Sequence, residues 1–183
     1  MKVSALAIPE VLLLTPDVHE DERGFFLESF NQTSFLAATG LKVLFPQDNR
    51  SRSAQGVLRG LHYQIRQPQG KLVSVVSGTV ATVAVDLRIT STTFGRWVGA
   101  ELSEMNHQQL WIPPGFAHGF LTLSTTADVY YKATDYYAPE FERCIAWNDP
   151  ALNISWPLRE GQPTLSAKDR AGSRWADADF FAR

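Results

Sequence analysis

Between residues 71 and 134 the chain is a succession of short runs, each closed by glycine, proline, asparagine or serine, with almost no helical pattern between them. Residues 71–77 read as a strand, Gly78 as its turn, and 80–87 as the next strand, with Thr82, Ala84 and Asp86 on the face opposite Val83 and Val85. Residues 97–102, 109–112, 119–123 and 129–134 continue the series. A chain punctuated this often cannot build long helices or a parallel sheet with helical crossovers. It predicts a mainly all-β fold, an antiparallel sandwich or barrel with a few short helices.

The N-terminal part fits the same scheme. Residues 7–16 read as a strand bounded by prolines, Asp21-Glu22-Arg23-Gly24 as a turn, and 25–30 as a second strand. Residues 31–40 are the first helix-like stretch: Asn31 or Thr33 caps it, Phe35 and Leu36 dock it, and Gly40 stops it. Residues 41–45 read as strand and Ser53-Ala54-Gln55-Gly56 as a turn. Helical character returns only from Ser166, a cap, with Trp175, Phe180 and Phe181 as docking residues.

The 183 residues suit one domain with a real core, and no linker or low-complexity segment divides them. With 44% hydrophobic and 20% charged residues the chain is not a disordered one. A net charge of -2 provides no global field for nucleic acid. The single cysteine, Cys144, reads as a small buried residue, and its solitude excludes an intrachain disulfide. The N-terminus lacks the pattern of a signal peptide and the apolar runs are too short to span a bilayer, so a cytoplasmic protein is expected.

Against this background one stretch stands out. Gly56-Val57-Leu58-Arg59-Gly60-Leu61-His62-Tyr63-Gln64 has strand character, yet it carries Arg59 and His62, and Lys71 follows within Gln69-Gly70-Lys71-Leu72-Val73. Nitrogen side chains on an apolar strand are costly to bury unpaired, so an anionic or titratable group is expected opposite them. Just upstream, Gln47-Asp48-Asn49 forms a dense polar cluster that reads as a strand end pointing at a site. Arg23 and Glu28 are further candidates for ligand contact.

Val75-Val76-Ser77-Gly78-Thr79-Val80 and Pro113-Pro114-Gly115-Phe116-Ala117-His118-Gly119-Phe120 resemble the strands of cupin jelly rolls. Metal-binding cupins pair a His-x-His and a Glu with a later His. Here His118 is present, but His62 is followed by Tyr63 and Gln64, and Lys71 would repel a cation. The resemblance is therefore to a cupin without metal. Asp21-Glu22-Arg23-Gly24-Phe25-Phe26, Gln47-Asp48-Asn49, Leu58-Arg59-Gly60-Leu61-His62, Gln69-Gly70-Lys71-Leu72-Val73, Phe94-Gly95-Arg96-Trp97-Val98-Gly99, the proline-rich segment ending at Phe120, Tyr131-Lys132-Ala133-Thr134-Asp135-Tyr136-Tyr137, Trp147-Asn148-Asp149-Pro150 and Leu165-Ser166-Ala167-Lys168-Asp169 occur in that order. Together they resemble the dTDP-4-dehydrorhamnose 3,5-epimerase family from about residue 8 to about residue 170. The tail 171–183 carries no recognised signature.

The resemblance implies dTDP-4-dehydro-6-deoxy-D-glucose as substrate, its epimerisation at C3 and C5 to dTDP-4-dehydro-L-rhamnose by proton removal and return, and no cofactor. His62 matches the family's base, Asp169 the carboxylate that orients it, Lys71 the cation beside the C4 oxygen and Tyr131 the acid on the other face. Arg23 and Arg59 match diphosphate contacts. Tyr137, with Tyr136 beside it, matches the aromatic that stacks on thymine. Glu28, Gln47, Asp48, Asn49, His118, Glu142 and Lys168 match further substrate contacts. The family is homodimeric, and Arg23 and Glu28 are expected to reach the partner's site. The alternatives are an epimerase acting at one carbon only, a metal-dependent cupin oxygenase, which the missing ligands oppose, and a non-catalytic sugar-nucleotide-binding module, which has no need of base, acid and enolate cation together.

Overall fold

Two antiparallel sheets face one another across a shared core. A computed structural model describes residues 1–159 and 161–182; Glu160 and Arg183 lie outside the described residues. The chain opens with β1 (Lys2–Ala5), β2 (Leu12–Thr15), β3 (Val18–Asp21) and β4 (Gly24–Leu27), then α1 (Gln32–Thr39). Next come β5 (Gln47–Ala54), β6 (Leu58–Gln64), β7 (Lys71–Ser77), β8 (Thr79–Asp86) and β9 (Trp97–Ser103). It closes with β10 (Gln109–Ile112), β11 (Phe116–Thr122), β12 (Thr126–Ala133), β13 (Glu142–Cys144) and the short α2 (Ala167–Arg170). One sheet runs β1-β2-β10-β7-β12-β5, the other β13-β6-β11-β8-β9, and β3 and β4 form a separate ribbon. This is the cupin-type jelly roll expected from the sequence.

The alternation of the strands supplies the core. Val73 and Val75 of β7, Leu110 and Ile112 of β10, and Val129 of β12 meet Val80, Ala84, Val98, Leu102, Phe116 and Phe120 of the facing sheet. Each of these side chains larger than Ala84 contributes about 1.5–3 kcal/mol when fully buried. The outer faces are covered separately. Phe35 of α1 lies against Leu14, Leu72 and Trp111. The C-terminal segment brings Trp175, Phe180 and Phe181 over Leu61, Tyr63, Val83 and Val85.

Local signals explain the helices. Asn31 caps α1, accepting from the backbone N–H groups of Thr33 and Ser34, and Gly40 ends it in the left-handed region at φ 72°. Ser166 caps α2, accepting from Asp169 N. Three expectations are corrected. Residues 41–45 form no strand: Leu41, Val43 and Phe45 pack against the Phe35 cluster, while the Val43 carbonyl accepts from Gln32 Nε2 instead of from a neighbouring strand. The strand expected over 7–16 narrows to β2, because Leu6 N–H donates to the Val11 carbonyl and Val11 N–H to the Ile8 carbonyl, a turn in which the chain doubles back. The strand expected over 25–30 ends at Leu27, and its Phe25 and Phe26 stand exposed on the ribbon.

Candidate active site

The strand β6 shows how sequence places the site. Its Leu61 and Tyr63 point to the outer layer, while Arg59, His62 and Gln64 line the opposite, concave side. Gly60 has φ 125°, and a Cβ there would lie 2.5 Å from Gly119 Cα and 2.8 Å from the His118 carbonyl oxygen. Only glycine allows β6 to approach β11 this closely. The approach makes His62 the direct cross-strand partner of His118 and leaves a register shift between His118 and Phe120.

The result is a pocket of about 260 Å³ between the two sheets. The five-stranded sheet contributes Arg59, His62, His118 and Glu142; the six-stranded sheet contributes Asn49, Lys71 and Tyr131; Tyr137 closes the rim. Asp169 sits behind His62, 4% exposed, with its Oδ1 2.7 Å from His62 Nε2. That oxygen lies off the line of the ring N–H, so the contact is close without being a well-aligned hydrogen bond. Asp169 is fixed independently: Gly60 N–H donates to Oδ1 at 3.1 Å and Ser166 Oγ donates to Oδ2 at 2.6 Å. Burial works against its ionisation, but the close His62 imidazole and the bonds from Ser166 and Gly60 outweigh it and hold the carboxyl well below the usual range. The carboxylate therefore stays charged, and His62 presents Nδ1 as the nitrogen not engaged by it.

Across the pocket, Lys71 is 9% exposed and lies 6.0 Å from the Tyr131 ring centre. Burial pushes its ammonium down to about 8, and Glu142 pulls it back through space. An uncompensated buried ion costs several kcal/mol, so the site gains from any anion that arrives beside Lys71. Burial, and then Glu142, raise the Tyr131 phenol, with Arg59 opposing, so it keeps its proton at neutral pH. Burial and the neighbouring Lys71 and His62 push His118 well below its ordinary value, so it is neutral, with Nε2 2.9 Å from Thr82 Oγ1.

The rim is ordered by three glutamines. Gln64 Nε2 donates to the Gln67 and Tyr136 carbonyls, and its Oε1 accepts from Ala138 N. Gln69 Nε2 donates to the Asp135 carbonyl, and Gln47 Oε1 accepts from Tyr137 N. The backbone of residues 135–138 is thereby held from three sides. Tyr137 hydroxyl donates to Glu142 Oε2, and Lys168 pairs with the same carboxylate. Gln47 Nε2 also donates to Asn49 Oδ1 at 3.0 Å, which sets the Asn49 side chain toward the pocket. Sequence reasoning assigned no role to Gln64 or Gln69, because their partners are carbonyls of a loop that is distant in sequence, nor to Ser166 beyond its cap.

Not every expected residue is in the pocket. Asp48 is on the other face of β5, where strand alternation turns it to Tyr130 hydroxyl and Lys132 Nζ. Tyr136 is exposed and stands outside the lining. Arg23, on the β3–β4 ribbon, pairs with Asp21, and Glu28 accepts from Asn31 and Ser34; neither reaches this pocket. Nor do the residues fit a cupin metal set. Gln64 replaces the second His and is spent on the loop backbone, His118 Nε2 is occupied by Thr82, and Lys71 lies beside them.

Known proteins resemble this chain over nearly its whole length. The family model described as dTDP-4-dehydrorhamnose 3,5-epimerase matches residues 5–177. A relative from Pseudomonas aeruginosa bearing that name is 61% identical over 181 residues, covering 99% of both chains. The crystal structure of a dTDP-6-deoxy-D-glucose-3,5-epimerase from Legionella pneumophila, in complex with dTDP-4-keto-L-rhamnose, superposes with a TM-score of 0.94 at 52% identity, covering 97% of this chain and 94% of that one. ChmJ, a 3'-monoepimerase from Streptomyces bikiniensis solved with dTDP-quinovose, superposes at 0.88 with 34% identity, covering 96% and 88%. A pocket that sets an imidazole–carboxylate pair against a buried ammonium and a phenol thus lies in a chain that belongs to the dTDP-4-dehydrorhamnose 3,5-epimerase family.

Proposed function

We propose that this protein converts dTDP-4-dehydro-6-deoxy-D-glucose into dTDP-4-dehydro-L-rhamnose by inverting C3 and C5. The observation that carries the reading is the opposition of His62, backed by buried Asp169, to Lys71 and Tyr131 on the facing sheet. The C4 ketone acidifies the hydrogens on C3 and C5. His62 takes one as a proton, and the C–H electron pair moves onto the C4 oxygen as an enolate. Asp169 stabilises the imidazolium and Lys71 the enolate oxygen. Tyr131 then gives its proton to the opposite face of the carbon. The imidazolium loses its proton and the phenolate regains one through water, and the cycle repeats at the second carbon. No electron leaves the substrate, so no redox cofactor is required, and the pocket residues supply acid, base and cation without a metal.

Arg59 holds the diphosphate, for which a guanidinium fork suits. Tyr137, ordered by Glu142, lies under the thymine, with Tyr136 at the solvent side. Gln47, Asn49, His118, Glu142 and Lys168 shape the remainder, and Asp48 acts by anchoring β5. The whole chain serves as one epimerase domain in the cytoplasm; among the described residues no helix is long and apolar enough to cross a membrane. The protein works as a homodimer in which the exposed ribbon carries Arg23, with Glu28 close behind, into the partner's pocket.

The test is proton NMR of the 4-keto sugar nucleotide in heavy water. Deuterium should enter at both C3 and C5, with the rhamno product accumulating. Exchange at one carbon alone would identify a monoepimerase, the activity that the likeness to ChmJ keeps in view. No exchange at either carbon would refute the catalytic reading.

A further inference from the structure

Beside the pocket a buried hydroxyl has no part in the mechanism above. Ser53 of β5 is 5% exposed, and its Oγ accepts from Arg59 Nε of β6 at 2.9 Å. Arg59 Nη2 donates to the Arg52 carbonyl at 3.3 Å. Both bonds cross from the five-stranded sheet to the six-stranded one. The Nε–H and one Nη2–H of a guanidinium share one edge of its plane. The protein fills that edge of Arg59, so the Nη1–Nη2 edge is the one left for a ligand. The arginines next to Ser53 are placed differently. Strand alternation turns Arg50 and Arg52 to the other face of β5, where both pair with the buried Asp128 carboxylate. Among the described residues Arg59 forms no ion pair, and its bonds go to neutral oxygens. Its orientation is fixed while its charge stays uncompensated.

We propose that Ser53 is a positioning residue for the anionic end of the substrate: it orients Arg59 so that the end-on Nη1–Nη2 fork meets the diphosphate. The inference rests on the reading that Arg59 holds the diphosphate. A fork presented in advance gives two parallel bonds to phosphate oxygens. Without the Ser53 hydroxyl, Nε–H turns to water and the long side chain regains its rotamers. That freedom must then be lost again each time substrate binds. The cost falls on the phosphate end of the ligand. His62, Lys71 and Tyr131 keep their places around the sugar.

The experiment uses the full-length protein, Ser53→Ala, Arg59→Ala and the double variant. Each is titrated with dTDP by calorimetry and with thymidine by NMR. Ser53→Ala should bind dTDP about tenfold more weakly, the scale of one hydrogen bond from a charged group. Thymidine has no phosphate and should bind it as it binds the unaltered protein. In the Arg59→Ala background, Ser53→Ala should change nothing further, because Ser53 acts only through Arg59. With the sugar nucleotide, Ser53→Ala should raise KM about tenfold and change kcat much less. A further measurement needs no variant of Ser53. The Arg59 Nε–H signal of the unaltered protein, identified by its absence from Arg59→Lys, should exchange with water more slowly than that of free arginine. Exchange at the free rate overturns the proposal, as do equal losses of dTDP and thymidine affinity in Ser53→Ala, or additive losses in the double variant. If Arg59→Ala weakens dTDP binding and Ser53→Ala does not, the proposal alone falls. If Arg59→Ala binds dTDP as well as the unaltered protein, the diphosphate reading fails and the proposal falls with it.

Discussion

At the scale of single residues the site divides its labour by face. In the proposed mechanism His62 and Tyr131 address opposite sides of one enolate, so removing the Tyr131 hydroxyl separates two events. Tyr131→Phe keeps the ring and its packing, and abstraction by His62 with Lys71 persists. The variant should still draw deuterium into the substrate while product formation falls about 10²–10⁴-fold. Product at the unaltered rate would mean that another group is the acid. Lys71 gives a second prediction. Its ammonium must be charged to hold the enolate, and burial has brought it down to about 8. Raising the pH through that value removes the proton, so kcat/KM should fall above about pH 8 in a rate–pH profile. In the bound complex the anionic diphosphate favours the charged form, so the limb in kcat should lie at higher pH. A profile flat to pH 10 would remove Lys71 from that role, because an ordinary lysine titrates near ~10.4.

At the scale of elements the site depends on parts that never touch the sugar. The loop 135–138 presents Tyr137, and Gln64, Gln69 and Gln47 hold its backbone. Replacing Gln64 by Leu leaves the buried Ala138 N–H without its acceptor, a loss of about 1–3 kcal/mol. The predicted result is a KM raised about tenfold or more, with kcat changed much less, because base, acid and cation stay in place. A fall in apparent kcat with KM unchanged would argue for loss of folded protein, and thermal denaturation would reveal it. The same scale shows what was legible in advance. Strands rich in β-branched residues, such as β7, β8 and β12, announce themselves by alternation, and the caps of α1 and α2 by Asn31, Gly40 and Ser166. Strands β1, β3 and β13 were hidden and only the Gln47–Asn49 end of β5 was read as strand, because polar and charged residues on short or edge strands look like loop. Residues 41–45 misled in the other direction: alternation reports which side chains are buried, not whether the backbone has a neighbour. Asp48 fell to the same period-two rule, since Gln47 and Asn49 face the site and the residue between them cannot. The meeting of His62 with Asp169 depends on α2 folding back over β6, a tertiary fact that no local pattern contains and that only the family resemblance anticipated.

At the scale of the whole molecule the open question is the second copy. Phe25 and Phe26 are 60% and 71% exposed on a ribbon that belongs to neither sheet, an arrangement suited to covering by another chain. If Arg23 serves the partner's pocket, two inactive variants should rescue one another. Mixed after mild dissociation, Arg23→Ala and His62→Ala chains form heterodimers with one intact site each, and about a quarter of the normal activity should return. If each pocket uses only its own chain, no pairing contains an intact site and activity stays at the level of the parents. The pocket itself has a longer reach. His62 and His118 ride on one sheet, while Lys71, Tyr131 and Asn49 ride on the other. The gap between base and acid is therefore a gauge set by the valines, leucines and phenylalanines that keep the sheets apart. Changing one of them by a methylene would act as a shim beneath the chemistry. An enzyme of this build can shift which carbon its acid reaches without altering a single residue that touches the sugar.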